Sequence, residues 1–92
     1  MAYETEIQQM LEKLTSRYGK LKEVTLSGGA MGGHIDLKFE RGSVSDPPLM
    51  KHGYIGTGTQ CLYTFLHAAG FSVTLQELQQ PVTEPKTLRT VK

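Results

Sequence analysis

The stretch LKEVTLSGGAMGGHIDLKFE, residues 21–40, decides the fold of this 92-residue chain. Its two ends, residues 21–27 and 34–40, set apolar side chains two positions apart, which is the pattern of strands with one buried face. The residues predicted to point into the core are Val24, Leu26, Ile35, Leu37 and Phe39. The two ends are therefore expected to form an antiparallel pair of strands.

The two predicted strands are separated by SGGAMGG, residues 27–33, in which four of the seven residues are glycine. This segment is longer than the two residues that a tight hairpin turn needs. The segment is interpreted as a mobile tip, as a bulged turn, or as a place where backbone meets a ligand, because glycine lets the backbone approach another group closely.

Upstream of the strands, residues 3–18 are predicted to form an amphipathic helix, because apolar side chains recur there at helical spacing. The apolar stripe consists of Tyr3, Ile7, Met10, Leu11, Leu14 and Tyr18. Gly19 is placed to end this helix in a left-handed conformation. The stripe is expected to cover one face of the sheet.

Downstream of the strands, residues 41–51 are predicted to be a loop. Asp46 precedes two prolines, which block a helix and disfavour a central strand. Tyr54 and Ile55 are candidates for a short third strand.

A second helix is predicted over residues 60–69, with Thr57 or Thr59 as its N-cap. Gly70 is positioned to end it, and Phe71 to make the hydrophobic contact that often accompanies such an end.

The last part of the chain carries a capping-box pattern, in which Thr74 is followed three residues later by Glu77. A short third helix is therefore predicted over residues 75–80. Residues 87–91 are interpreted as a last strand or as part of a flexible tail over residues 85–92.

These elements predict an α+β domain, with a small antiparallel sheet of two to four strands. The N-terminal amphipathic helix and the C-terminal helix pair are expected to pack on one face of the sheet. Residues 1–92 are expected to form a single domain. A chain of this length buries only about 60–65% of its unfolded surface, so association with another chain would add stability.

Composition removes several classes of function. Ten basic and nine acidic residues give a net charge of +1, without the basic excess that is typical of nucleic-acid binding. No run approaches the roughly 18 apolar residues of a spanning helix. The N-terminus lacks the apolar segment of a secretory signal, so a cytoplasmic location is expected. The single cysteine, Cys61, excludes an intramolecular disulfide and a zinc site built on cysteine pairs.

A second glycine-rich segment, GYIGTGT at residues 53–59, precedes the second predicted helix. Helix N-termini attract anions because their backbone N–H groups are free and the helix dipole is positive there. The pattern lacks the third glycine of a dinucleotide fingerprint and the lysine of a P-loop. It is therefore interpreted first as a turn and second as a ligand-binding loop. The residues of the ligand hypothesis are Gly28, Gly29, Gly32, Gly33, Lys51, Gly56, Thr57, Gly58 and Thr59.

Other chemistries have less support. Cys61 near a helix start could be an activated thiol, but it shares an apolar stripe with Phe65, which is typical of a buried cysteine. His34 and Asp36 share a strand face, yet a metal site would need a third ligand from elsewhere. Residues 66–78 have the spacing of a helix-turn-helix, but no Lys or Arg to hold phosphates. No enzymatic activity, cofactor or metal is predicted, and nucleic acid is not the expected partner.

The leading functional hypothesis is a small non-enzymatic binding or regulatory protein that acts through protein–protein association, with a homodimer expected. It depends on the apolar and aromatic content of residues 52–76, which exceeds what a thin core is expected to bury. The predicted interface residues are Met50, Tyr54, Tyr63 and Phe71. The alternative is a binder of a small anionic or nucleotide-like ligand, which requires both glycine-rich segments to meet at one place.

Overall fold

The computed structural model describes residues 3–28, 33–53, 55–80, 82 and 84–89. The order of its helices and strands is α1 (Glu4–Tyr18), β1 (Leu21–Ser27), β2 (His34–Phe39), β3 (Gly42–Ser45), α2 (Thr57–Ala68), α3 (Leu75–Gln79) and β4 (Lys86–Arg89). The predicted α+β architecture is confirmed.

The four strands form one antiparallel sheet in the order β3-β2-β1-β4. The predicted pair β1 and β2 lies at its centre, with Val24 opposite Leu37 and Leu26 opposite Ile35. A bulge interrupts the register between Leu21 and Glu23. All five residues predicted to face the core from these strands are buried, so the predicted alternation is confirmed.

The core lies between the sheet and the helices, and its largest contributions come from β1, β2 and α2. Its buried apolar residues are Ile7, Leu21, Val24, Leu26, Ile35, Leu37, Phe39, Met50, Cys61, Leu62, Phe65, Leu66, Phe71, Val73 and Leu78. The opposite face of the sheet carries the polar residues of the same alternation. No helix within the described ranges is long and apolar enough to cross a membrane.

The end of α1 is attached to the turn between β2 and β3. The Tyr18 ring packs against Phe39, with 5.8 Å between ring centroids. The same ring covers Gly42 so closely that a Cβ there would lie 2.5 Å from a ring carbon. Backbone hydrogen bonds add to this contact, because the N–H groups of Glu40 and Arg41 donate to the carbonyls of Lys20 and Tyr18.

Strand β3 lies inside the segment predicted to be a loop, so that prediction was wrong for residues 42–45. The chain reverses over two residues after Phe39, and Phe39 pairs directly with Gly42. The strand ends at Ser45, immediately before Asp46 and the two prolines that were predicted to interrupt regular structure. The predicted third strand at Tyr54 and Ile55 is not supported, because Ile55 lies in a bend and is 81% exposed. Tyr54 is outside the described residues.

Helix α2 begins three residues earlier than predicted, and neither predicted threonine caps it. The N-cap position is Gly56, with no side-chain cap hydrogen bond, and Thr59 lies buried in the first turn. The predicted end is confirmed. Gly70 has φ of +92°, its N–H donates to the His67 carbonyl, and the Phe71 N–H donates to the Leu66 carbonyl, as in a Schellman motif.

The predicted capping box is confirmed at the start of α3. The Thr74 hydroxyl accepts from the Glu77 N–H, and the Glu77 carboxylate accepts from the Thr74 N–H. Residues 86–89 then form β4, which pairs with β1. Residues 90–92 of the predicted tail lie outside the described part of the chain.

Candidate functional site

The side chain of His52 is buried at the base of the first glycine-rich segment. Its Nε2 atom lies 2.8 Å from the Ser27 carbonyl oxygen and 3.1 Å from the His34 carbonyl oxygen. Those two residues are the end of β1 and the start of β2. One histidine therefore holds the two strands where they enter and leave the glycine-rich connection.

The contacts of His52 fix its tautomer. Carbonyl oxygens only accept hydrogen bonds, so the neutral ring carries its proton on Nε2 and donates. The Nδ1 atom is then an acceptor. It is fully buried and has no partner among the described residues. An orphaned buried polar atom of this kind marks a place where a structural or functional explanation is needed.

Gly33 is the residue that makes room for this histidine. A Cβ at Gly33 would lie 2.5 Å from His52 Nε2 and 2.9 Å from the Ser27 carbonyl oxygen. Both distances are too short for real carbon contacts, so any side chain would displace the ring or the backbone. The glycine is required by close approach to His52.

The second glycine-rich segment reaches the same neighbourhood through the backbone. The Lys51 N–H donates to the Gly58 carbonyl at 3.1 Å, and the Gly53 N–H donates to the Leu78 carbonyl at 2.8 Å. Residues 51–53 therefore join the β1–β2 connection, the first turn of α2 and the end of α3. The described parts of the two segments of the ligand hypothesis therefore meet on either side of His52.

The residues of that hypothesis have different positions. Gly28 and Gly33 are the described residues on either side of residues 29–32, and Gly29 and Gly32 lie outside the described residues. The Lys51 side chain is exposed, so it can offer a positive charge. Gly56 is the N-cap of α2, and its first turn contains Thr57, Gly58 and Thr59.

His34 and Asp36, the pair considered as metal ligands, each make a hydrogen bond with a different residue. His34 Nδ1 lies 3.1 Å from the carboxylate of Asp46, while the Asp36 carboxylate accepts from the Ser45 hydroxyl at 2.6 Å. Asp46 also accepts from the Ile35 N–H at 3.1 Å. In the described part of the chain, no group of three or more His, Cys, Asp or Glu side chains could hold a metal ion.

Cys61 has the surroundings of a structural residue. Its side chain is fully buried in the core. Burial raises the pKa of the thiol, and the negative charge of Glu6 raises it further. The thiolate is the nucleophilic form, so this environment opposes nucleophilic chemistry.

Two of the four predicted interface residues are buried. Met50 and Phe71 are core residues, which removes them from the predicted interface. Tyr63 is half-buried and packs against His67 in a tilted arrangement, with ring centroids 4.2 Å apart. Tyr54 falls outside the described residues. The apolar face of α2 faces inward, and the apolar content of this segment is therefore largely core.

A partly covered apolar surface lies on α1, whereas the most exposed large apolar side chains of the described residues, Leu49 and Ile55, lie in the segment before α2. Of the apolar stripe of α1, Ile7 alone is fully buried. The residues Met10, Leu11, Leu14 and Tyr18 are only partly covered, and Tyr3 is exposed. A groove of about 300 Å³ runs along the helix and is lined by Glu6, Gln9, Met10, Lys13 and Leu14. Helical spacing identified the stripe, but it could not show which part of the stripe the rest of the chain leaves uncovered.

A larger and more polar depression, of about 480 Å³, lies on the open face of the sheet. Its charged residues are Glu23, Asp36, Lys38 and Glu40. Glu23 is already paired with Arg89, with 3.2 Å between Oε2 and Nε. This mixture of charges on a strand face is what alternation produces without any ligand.

Comparisons of the chain with protein-family models, curated proteins and solved structures found no match. The functional proposal therefore depends on the geometry of the molecule itself.

Proposed function

We propose that this chain is a small non-enzymatic protein that acts by association, and that its contact surface is the partly covered apolar stripe of α1. One observation carries the proposal. Helix α1 has an apolar residue at nearly every position of one face, yet only Ile7 is fully buried. Helix α2, by contrast, buries five residues.

The partial exposure of the apolar stripe of α1 is consistent with the small size of the domain. A chain of 92 residues has a large surface for its volume, and association removes apolar surface that its own fold cannot cover. The groove beside Met10 makes this surface concave. Methionine is common in binding surfaces because its unbranched side chain adapts to different neighbours.

The proposed absence of catalysis is supported by the surroundings of the reactive side chains. Cys61 is buried with a raised pKa. The rings of His34, His52 and His67 each contact a carboxylate or backbone carbonyls, and no histidine–cysteine hydrogen bond occurs among the described residues.

Site-specific photo-crosslinking in the native host tests this proposal. A photoreactive amino acid replaces Met10, which lines the groove. A matched variant carries it at Gln8, which is exposed and about 200° around the helix. We expect a discrete adduct from position 10 that position 8 does not give. Equal labelling from both positions, or none from position 10, contradicts association through α1.

A second candidate function is the binding of a nucleotide-like ligand near His52. The observation that favours it is the meeting of both glycine-rich segments at residues 51–53. Because Nδ1 is an acceptor, it prefers a ligand that offers an N–H or O–H group over a fully ionised anion. The ring is buried, so such a ligand reaches Nδ1 only if the residues that cover the ring move.

Thermal unfolding separates this second function from the first. A ligand at about a hundred times its dissociation constant adds about 2.7 kcal/mol to the stability of the folded state. We expect a raised Tm with a nucleotide but not with sulfate, and we expect the increase to vanish in Gly58→Val. A second variant, His52→Asn, keeps a polar side chain there. An unchanged Tm with all nucleotides removes this candidate.

A further inference from the structure

We infer that the occupant of the α1 groove is the same groove of a second copy of this chain, in an antiparallel arrangement about a two-fold axis near Met10. This inference rests on the proposed function, since it names the partner for the surface proposed there. It is carried by the spacing of the residues that line the groove and by the placement of its two charges.

The residues that line the groove have the spacing that surrounds a side chain from a facing helix. The groove residues Glu6, Gln9, Met10 and Lys13 occupy positions i, i+3, i+4 and i+7 of α1. In helix pairs that pack knobs into holes, four residues of one helix surround one side chain of the other. Met10 is flexible enough to be that side chain and also forms part of the hole.

The charges of the groove are of opposite sign and lie at opposite ends. Glu6 is four residues before Met10 and Lys13 is three residues after it. At 1.5 Å per residue these are about 6 Å and about 4.5 Å along the helix axis. No hydrogen bond or ion pair joins either side chain to another described residue.

Symmetry decides how a second copy fits. With parallel helices Glu6 would face Glu6, and Lys13 would face Lys13. Rotation by 180° about an axis at Met10 instead brings Glu6 opposite Lys13 of the second copy, within about 1.5 Å along the axis. A two-fold contact repeats every pair, so one such match gives two ion pairs. The charge pattern therefore selects the antiparallel pair.

The association is expected to be weak. Stable interfaces use about 20–30 residues on each side, whereas this groove has five lining residues. The two ion pairs are exposed and are weakened by salt. The expected behaviour is a reversible equilibrium between monomer and dimer.

Variants with exchanged charges test the inference, with the dimerisation of each measured by sedimentation equilibrium. Glu6→Lys alone, or Lys13→Glu alone, places like charges opposite each other, and we expect the dimer to weaken by about five- to tenfold in each. The double variant restores opposite charges with reversed polarity, so its dimerisation is expected to return toward that of the native chain. Glu12→Lys makes the same charge change outside the groove and is expected to leave dimerisation unchanged.

Circular dichroism of each variant confirms that it is folded before its association is compared. A chain that stays monomeric up to about 1 mM, where even an association of only about 4 kcal/mol would be populated, overturns the inference. A dimer in which the double variant is no better than the single variants also overturns it.

The crosslinking experiment at Met10 distinguishes failure of this inference from failure of the proposed function. An adduct of twice the chain mass supports the second copy. An adduct with a different protein, from a chain that is monomeric in solution, retains association through α1 but overturns the second copy. The absence of any adduct at position 10 overturns both.

Discussion

At the scale of single residues, Gly33 lies where no side chain fits. Replacing it by alanine places a Cβ 2.5 Å from His52 Nε2 and 2.9 Å from the Ser27 carbonyl oxygen. We expect Gly33→Ala to lower the free energy of unfolding by about 1–3 kcal/mol, the usual cost of forcing extra atoms into a filled space. Urea unfolding of the purified variant measures this change.

The same substitution in a chain that already carries His52→Ala tests whether the His52 ring causes the loss of stability. If the clash is with the ring, Gly33→Ala should cost less when His52 is already alanine, because coupled sites are not additive. Gly70→Ala is the matched control. Gly70 has φ of +92° with no atom within 4 Å of the added Cβ, so its cost is conformational and should be the same in both backgrounds. Equal costs for Gly33→Ala in both backgrounds would show that the ring is not the cause.

Cys61 provides a second test at this scale. Because the thiol is fully buried and its pKa is raised, we expect a disulfide reagent at pH 7 to react with the native protein far more slowly than with the unfolded chain. Labelling rates in buffer and in strong denaturant give the comparison. Native labelling as fast as that of the denatured chain would restore the thiol-enzyme hypothesis.

At the scale of elements, the five-residue helix α3 depends on its capping box. Thr74→Ala removes the acceptor for the Glu77 N–H and should cost about 1 kcal/mol, whereas Thr74→Ser keeps the hydroxyl and should cost much less. Since Gly53 donates to the Leu78 carbonyl of this helix, hydrogen exchange at the Gly53 N–H should become faster in Thr74→Ala. Protection of that N–H that is equal in both variants would show that α3 does not hold residues 51–53.

Local patterns predicted the elements whose signals lie within a few residues. Helical spacing indicates α1, alternation of apolar and polar residues indicates β2, and the Thr74–Glu77 box satisfies the backbone at the start of α3. Strand β3 carries only GSVS, which looks like a turn, and it forms because β2 and the Tyr18 ring position it. The start of α2 was missed because no side chain caps it.

The candidate sites were less predictable than the elements, for a physical reason. The bond between His52 and the Ser27 carbonyl spans 25 residues, and no local spacing encodes it. Met50 and Phe71 have the composition of interface residues, but the same composition serves a core. The half-covered face of α1 depends on how much of the helix the other elements reach, which is a property of the packed molecule.

At the scale of the whole molecule, three carboxylates accept backbone hydrogen bonds, two of them between separate segments and the third within the capping box of α3. Glu40 accepts from the Lys20 N–H, Asp46 accepts from the Ile35 N–H and pairs with His34, and Glu77 accepts from the Thr74 N–H. Each bond favours the charged form. The pKa values of all three carboxyls are therefore lower than usual, with the backbone hydrogen bond as the main cause.

The sign of the resulting pH dependence follows from these lowered pKa values. A carboxyl whose pKa is lower in the folded state than in the unfolded state contributes stability above its unfolded pKa. That contribution is lost as pH falls through the folded pKa. With usual pKa values of 4.5 for Glu40 and Glu77 and 3.8 for Asp46, the loss begins below about pH 5. We expect the free energy of unfolding, measured in urea at a series of pH values, to decline steadily from there to pH 3.

Two substitutions test whether the carboxylates that accept backbone hydrogen bonds cause this loss of stability in acid. Glu40→Gln should reduce the stability at pH 7 and flatten its decline in acid, because the neutral amide can still accept from the Lys20 N–H but no longer titrates. Glu12→Gln removes a carboxylate whose side chain has no hydrogen-bond partner among the described residues, so its decline should match that of the native chain. If Glu40→Gln and Glu12→Gln have the same slope, the acid sensitivity arises from general charge repulsion, and the hydrogen bond between Glu40 and Lys20 does not contribute to it.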